Sequence, residues 1–113
     1  MTITERQAGA ATVLDIEGAL KIEDGAPQLT ESVRKLLAEG RTRIVLNVAN
    51  VPFVDSGGLG ALVQAHVSAS RASAALRLLN PPRRLRELIA ITKLTAVLPS
   101  FDDEAAAVAS FSA

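Results

Sequence analysis

The segment Val51-Pro52-Phe53-Val54-Asp55-Ser56-Gly57-Gly58-Leu59-Gly60-Ala61-Leu62, VPFVDSGGLGAL, lies between two stretches of different periodicity. Before it, Ile44 to Val48 (in RIVLNV) is a near-continuous apolar run, as expected of a central strand covered on both faces. After it, Leu59, Leu62, Val63, His66 and Ser70 recur at helical spacing. An Asp-Ser pair and three glycines thus occupy a strand-to-helix junction. In an α/β sheet, ligands and chemistry gather beyond the carboxyl ends of the strands. The segment can be a nucleophile, a phosphate cradle, a modification site or only a tight turn.

The rest of the chain reads outward from that junction. TITERQ and ATVLDIEG flank Ala8-Gly9-Ala10 and predict two strands joined by a glycine-containing turn. From Pro27 to Glu39, Leu29, Val33, Leu36 and Leu37 mark one helical face, and Gly40 stands where a left-handed C-terminal cap belongs. AALRLL predicts a strand stopped by Asn80-Pro81-Pro82, and Pro82 suits the first position of a helix whose buried side is Leu85, Leu88 and Ile89. TAVLPSF predicts a short edge strand, since Pro99 has no N–H for a central ladder. The acids of DDEAAAVASF suit the start of a last helix. Strand and helix alternate, which predicts one α/β domain over 1–113, with parallel crossovers and an N-terminal β-hairpin.

Composition excludes several functions. At 113 residues, 49% hydrophobic, the chain can build a core without covalent staples. Twelve basic and twelve acidic side chains cancel, so no global pull toward nucleic acid or an anionic membrane exists. Three Phe, with no Trp or Tyr, give little stacking support for nucleic acid. The chain contains no Cys, and the one His, His66, is too little for a transition-metal site. No apolar run approaches the ~20 residues of a membrane span, and MTITERQAGA has no signal-peptide core, so a soluble cytoplasmic domain is expected.

Within the junction, Ser56 is a favoured N-cap residue, and Asp55 and the glycines suit a turn. A serine hydrolase is excluded, because His66 lies ten residues along the following helix, roughly 15 Å away at the standard rise. Val63 replaces the third glycine of a dinucleotide fingerprint, and no Lys-Ser/Thr ending completes a phosphate loop. A modification site is physically sound. An exposed hydroxyl among small residues can enter a kinase, and its phosphate would meet the free N–H groups of a helix start. Phe53 is read as a core anchor beneath the loop. Arg83, Arg84 and Arg86 read as a solvated face, and Asp102, Asp103 and Glu104 as a helix start rather than a metal site.

LNVANVPFVDSGGLGAL resembles the signature of STAS domains, especially bacterial anti-sigma factor antagonists, and the flanking VLDIEGAL and LRLLNPPRRLRELIAITKLTAVLPSFDDEAAAV extend the resemblance over nearly the whole chain. The resemblance implies a mixed sheet of four or five strands with packed helices. It makes Ser56 the phosphoacceptor with Asp55 beside it, and it places Asp55, Ser56, Gly57, Gly58, Leu59 and Lys21 on the partner-binding surface. Gly57 stands where the family has Ser, Thr or Ala, and Lys21 where an acidic residue is common. The implied role is a binding module, not an enzyme, with no cofactor of its own. Unphosphorylated, it would sequester an anti-sigma factor that is also a serine kinase and so free a sigma factor; a serine phosphatase would reset it. The alternatives are a cytoplasmic STAS subunit of a lipid or anion transporter, a stressosome-like scaffold subunit, or a nucleotide-binding or hydrolytic protein using the glycine turn. Direct nucleic-acid binding and membrane insertion are not expected.

Overall fold

Two short strands open the chain: β1 (Thr2–Ala8) pairs antiparallel with β2 (Ala11–Glu17), from Ala8 opposite Ala11 to Thr2 opposite Glu17. Gly9, at φ +61°, takes the left-handed turn between them. The computed structural model describes residues 1–112. Beyond the hairpin, α1 (Ala26–Ala38), β3 (Arg43–Asn50), α2 (Ser56–Arg71), β4 (Ala75–Leu79), α3 (Arg83–Ile91), β5 (Ser100–Phe101) and α4 (Glu104–Ala109) follow, with a 3-10 turn at Ser110–Ser112. The five strands lie in chain order, and every pairing after the hairpin is parallel.

Side chains alternate across this sheet, so its two faces differ. Leu14, Leu46 and Leu78 stand in register on one face. They join the large core supplied by Leu29, Val33 and Leu36 of α1, Leu59, Leu62 and Ala65 of α2, and Leu85 and Ile89 of α3. On the opposite face Val13, Val45 and Leu79 meet only Ala107 of α4 and a few half-buried neighbours. Three helices therefore cover one face and a short fourth covers part of the other. Arg6 ties that fourth helix to the hairpin. Its guanidinium donates to Asp15 at 2.6 Å and to Glu104 at 3.0 Å, and Asn47 also donates to Asp15 at 2.8 Å.

Four expectations are corrected in detail. Phe53 is not a core anchor: it is 44% exposed, while Val51 fills the core position at that turn. The backbone explains this, because Leu20 N–H donates to the Phe53 carbonyl at 2.8 Å and holds the segment extended with its ring outward. The buried face of α2 is Gly58, Leu59, Ala61, Leu62, Ala65 and Ala69, whereas Val63 and His66 are half-buried and Ser70 is exposed. Small side chains let a helix lie close to a sheet, so the alanines turn inward in preference to His66. Pro82 precedes α3 as its N-cap, with extended backbone, and Arg83 is the first helical residue. The strand expected in TAVLPSF shrinks to Ser100–Phe101; Leu98 is buried just before it, and the Pro99 carbonyl still accepts from Leu78 N–H at 2.8 Å.

Candidate functional site at the start of α2

The sheet does not end cleanly at β3. Leu20 pairs with Val54 as one further parallel step, through Leu20 N–H to the Phe53 carbonyl and Asp55 N–H to the Leu20 carbonyl at 3.2 Å. This step brings the 20–24 loop against the first turn of α2. Asp55 then caps the helix, its Oδ1 accepting from Gly58 N–H at 2.7 Å. Its Oδ2 accepts from Ile22 N–H at 3.3 Å, so one carboxylate fixes both the helix start and the neighbouring loop.

The glycines make that approach possible. A Cβ on Gly58 would lie 2.1 Å from the Leu20 carbonyl oxygen, and one on Gly57 would lie 2.3 Å from Ile22 Cβ. Gly60 faces open space and has no such constraint.

Ser56 is the first residue of α2 and is exposed. The cap falls to Asp55, not to Ser56, so the serine hydroxyl has no structural duty at the helix start. Gly57 is half-buried beside it. Gly58 and Leu59, expected on the partner-binding surface, are instead buried; Leu59 keeps 8% of its surface. The reason is the same close packing, which draws the first turn of α2 down onto Leu20. These two residues shape the surface from beneath. Lys21 does reach the surface, with its Nζ 5.5 Å from the centre of the Phe53 ring, a cation–π contact.

Large apolar side chains are exposed on the 20–24 loop, the 51–54 segment and α3. Ile22 is 65% exposed and Ile91 is 77% exposed, and with Phe53 they are the large hydrophobic side chains left open to solvent among the described residues. Phe53 and Ile91 face a shared groove between the 51–54 segment and α3. One signal for this was available: Ile91 lies six residues after Leu85, off the Leu85–Leu88–Ile89 face.

The acidic run near the C-terminus is accounted for by local contacts. Asp103 caps α4 by accepting from Ala106 N–H at 2.9 Å, Asp102 pairs with Arg86, and Glu104 pairs with Arg6. Among the described residues no group of three or more metal-binding side chains is assembled, and no helix is long and apolar enough to cross a membrane. His66 stays on the flank of α2, half-buried and remote from Ser56.

The model of the STAS domain matches residues 2–107. The chain belongs to the STAS family. Solved structures with this architecture include Thermotoga maritima TM1081, assigned as an anti-sigma factor antagonist, at 23% identity and TM-score 0.84, covering 93% of this chain and 90% of that one. The Bacillus cell fate determinant SpoIIAA in its phosphorylated form is similar at 20% identity and TM-score 0.71, over 93% of this chain and 96% of its own. The murine Solute Carrier 26 family member A9 anion transporter contains a similar region, at 15% identity and TM-score 0.67, over 91% of this chain but 16% of the transporter. No curated protein sequence matches this STAS domain significantly.

Proposed function

We propose that this STAS domain is an anti-sigma factor antagonist whose binding is switched by phosphorylation of Ser56. The observation that carries the reading is the division of labour at the start of α2. Asp55 makes the cap, and the exposed Ser56 hydroxyl remains available to a kinase. Unmodified, the surface formed by Ser56, Asp55, Gly57, Lys21 and their apolar neighbours binds an anti-sigma factor that is also a serine kinase. Gly58 and Leu59 support it from below. Phosphate at Ser56 adds nearly two negative charges beside the Asp55 carboxylate. The first-turn N–H groups that Asp55 does not engage can donate hydrogen bonds to that phosphate, so the domain stays folded while the surface gains negative charge. A partner that must desolvate those charges then lets go, and a serine phosphatase restores the surface. ATP belongs to the kinase, and the domain works without a cofactor in the cytoplasm. The likeness to SpoIIAA, an anti-sigma factor antagonist solved in both phosphorylated and unphosphorylated forms, supports this reading.

A second reading draws on the likeness to the anion transporter: a cytoplasmic STAS subunit whose loop end is a fixed assembly surface. The two differ at Ser56. Incubation with the cognate kinase and ATP, followed by peptide mass spectrometry, should place phosphate on Ser56. Phosphate on Ser68, Ser70 or Ser73, with Ser56 unmodified, would overturn the first reading.

A further inference from the structure

The segments that follow β2, β3 and β4 lie side by side at one end of the sheet, in strand order, and their charges divide them. On the β2 side, the 20–24 loop and the neighbouring helix start carry Lys21 against Glu23, Asp24 and Asp55, a net negative flank. On the β4 side, α3 carries Arg83 and Arg84 against Glu87, a net positive flank. Arg83 is engaged by Glu87 and Arg86 by Asp102. Arg84, Glu23 and Asp24 are exposed and make no ion pair among the described residues. The exposed large hydrophobics Ile22, Phe53 and Ile91 belong to these same three segments.

The two flanks also differ in shape. The acidic one ends in a knob. Lys21 N–H donates to the Asp24 carbonyl at 2.7 Å and Asp24 N–H to the Lys21 carbonyl at 3.2 Å, closing a turn with Ile22 and Glu23 at its tip. Asp55 steadies that tip by accepting from Ile22 N–H at 3.3 Å, yet Ile22 keeps 65% of its surface. The basic flank is a slot. A groove of about 250 Å³ runs between the 51–54 segment and α3, walled by Phe53, Leu88 and Ile91, with Arg84 in its lining. That volume is below the roughly 300–1,000 Å³ of pockets that enclose drug- or cofactor-sized molecules. It suits a single apolar side chain.

We infer that two copies of this domain pair about a twofold axis at this end of the sheet, Ile22 of each entering the groove of the other. A patch that carries both knob and slot, and both signs of charge on opposite flanks, is complementary to itself, as a twofold interface requires. The rotation lays the acidic flank of one copy on the basic flank of the other. Glu23 and Asp24 then meet the unpaired Arg84, while the exposed hydrophobics leave water. A partner of one charge sign would be repelled by one flank or the other. The turn at Ile22 is already hydrogen-bonded in place, so little order has to be imposed on docking. Ile22 also lies against the first turn of α2, where a Cβ on Gly57 would come within 2.3 Å of its own. Pairing therefore covers the surroundings of Ser56 and competes with any other protein that reads that surface. The pairing itself is independent of the Ser56 switch.

Sedimentation equilibrium of the unmodified chain over a concentration series tests the pairing, with ¹⁵N NMR spectra recorded along the same series. The average mass should rise from the 11.8 kDa of one chain toward twice that value. Concentration-dependent amide shifts should concentrate at Ile22, Phe53, Leu88 and Ile91. Ile22→Ser should weaken association at least about tenfold. So should Arg84→Glu, which sets acid against acid, and Glu23→Arg with Asp24→Arg, which sets base against base. An equal mixture of those two charge variants should recover about tenfold or more, because each flank again meets its opposite. All these positions are exposed, and spectra unchanged elsewhere would verify that the fold is kept. A single-chain mass up to about 1 mM, shifts on another face, association unchanged by Arg84→Glu, or no recovery in the mixture would each overturn the proposal. Groove shifts that appear only on adding a different protein would overturn it too, by giving the slot to that protein. No kinase enters the readout, so a failed pairing and a failed Ser56 switch give separate results.

Discussion

Asp55 and Gly58 are joined by a 2.7 Å hydrogen bond from the glycine N–H to the carboxylate, and this bond takes from Ser56 the capping role that serines commonly hold. The consequence is a serine that can be modified without loosening its helix. Asp55→Ala should cost about 1–2 kcal/mol, since it removes a cap and the tie to Ile22. Ser56→Ala should stay within about 0.5 kcal/mol, as an exposed surface change. Urea melts of the two variants would compare them directly. A larger loss for Ser56→Ala would reveal a structural serine and make kinase access implausible.

Gly58 and Gly60 make a controlled pair on the same helix. Gly58→Ala drives a Cβ against the Leu20 carbonyl, which is backbone and cannot swing aside. A loss of about 1–3 kcal/mol is expected from that overpacking. Gly60 has nothing within 4 Å of its missing Cβ, so Gly60→Ala should gain about 0.5–1 kcal/mol from helix propensity alone. Thermal melts with opposite signs would verify the close approach of α2 to the 20–24 loop. A stabilising Gly58→Ala would refute it.

The hairpin-to-helix tie should make stability depend on acid pH. The Arg6 hydrogen bonds hold Asp15 and Glu104 below their ordinary values, and Asn47 adds to the effect on Asp15. Depressed carboxylate values give stability that is present above the unfolded values, near pH 4, and is lost as pH falls through the lower folded ones. Each pair is partly exposed and screened, so its contribution is about 0–1 kcal/mol. The stability gap between wild type and Arg6→Ala, measured by urea titration from neutral pH downward, should shrink below about pH 4. A gap that stays constant or widens in acid would show that Arg6 acts through packing instead.

Much of this architecture is legible from apolar spacing, because Ile44, Leu46 and Val48 alternate with Val45 across a sheet buried on both sides, and α1 shows its Leu29–Val33–Leu36 stripe plainly. The site is legible only in part. The sequence places Ser56 at the helix start, but N-capping by Asp55 or by Ser56 differs by one residue, which local preferences do not separate. Phe53 illustrates the harder case. Its hydrophobicity argues for burial, yet the extra sheet step between Leu20 and Val54 turns it outward, and that pairing joins residues 34 positions apart. Gly57 and Gly58 read as turn residues, whereas their main duty is to admit Ile22 and Leu20. Tertiary contact, not local preference, decides each of these.

The central claim is that charge at Ser56 breaks a protein interface while leaving the domain folded. It is tested most directly by calorimetry with the serine kinase recovered by pull-down on the unmodified domain. Ser56→Asp should bind that kinase at least about tenfold more weakly than wild type, a loss of roughly 1.4 kcal/mol or more, because a second carboxylate beside Asp55 must be desolvated. Domain phosphorylated on Ser56 should bind more weakly still, since phosphate carries more charge than Asp. Equal affinities for the three forms would contradict the switch and leave a fixed assembly surface in its place.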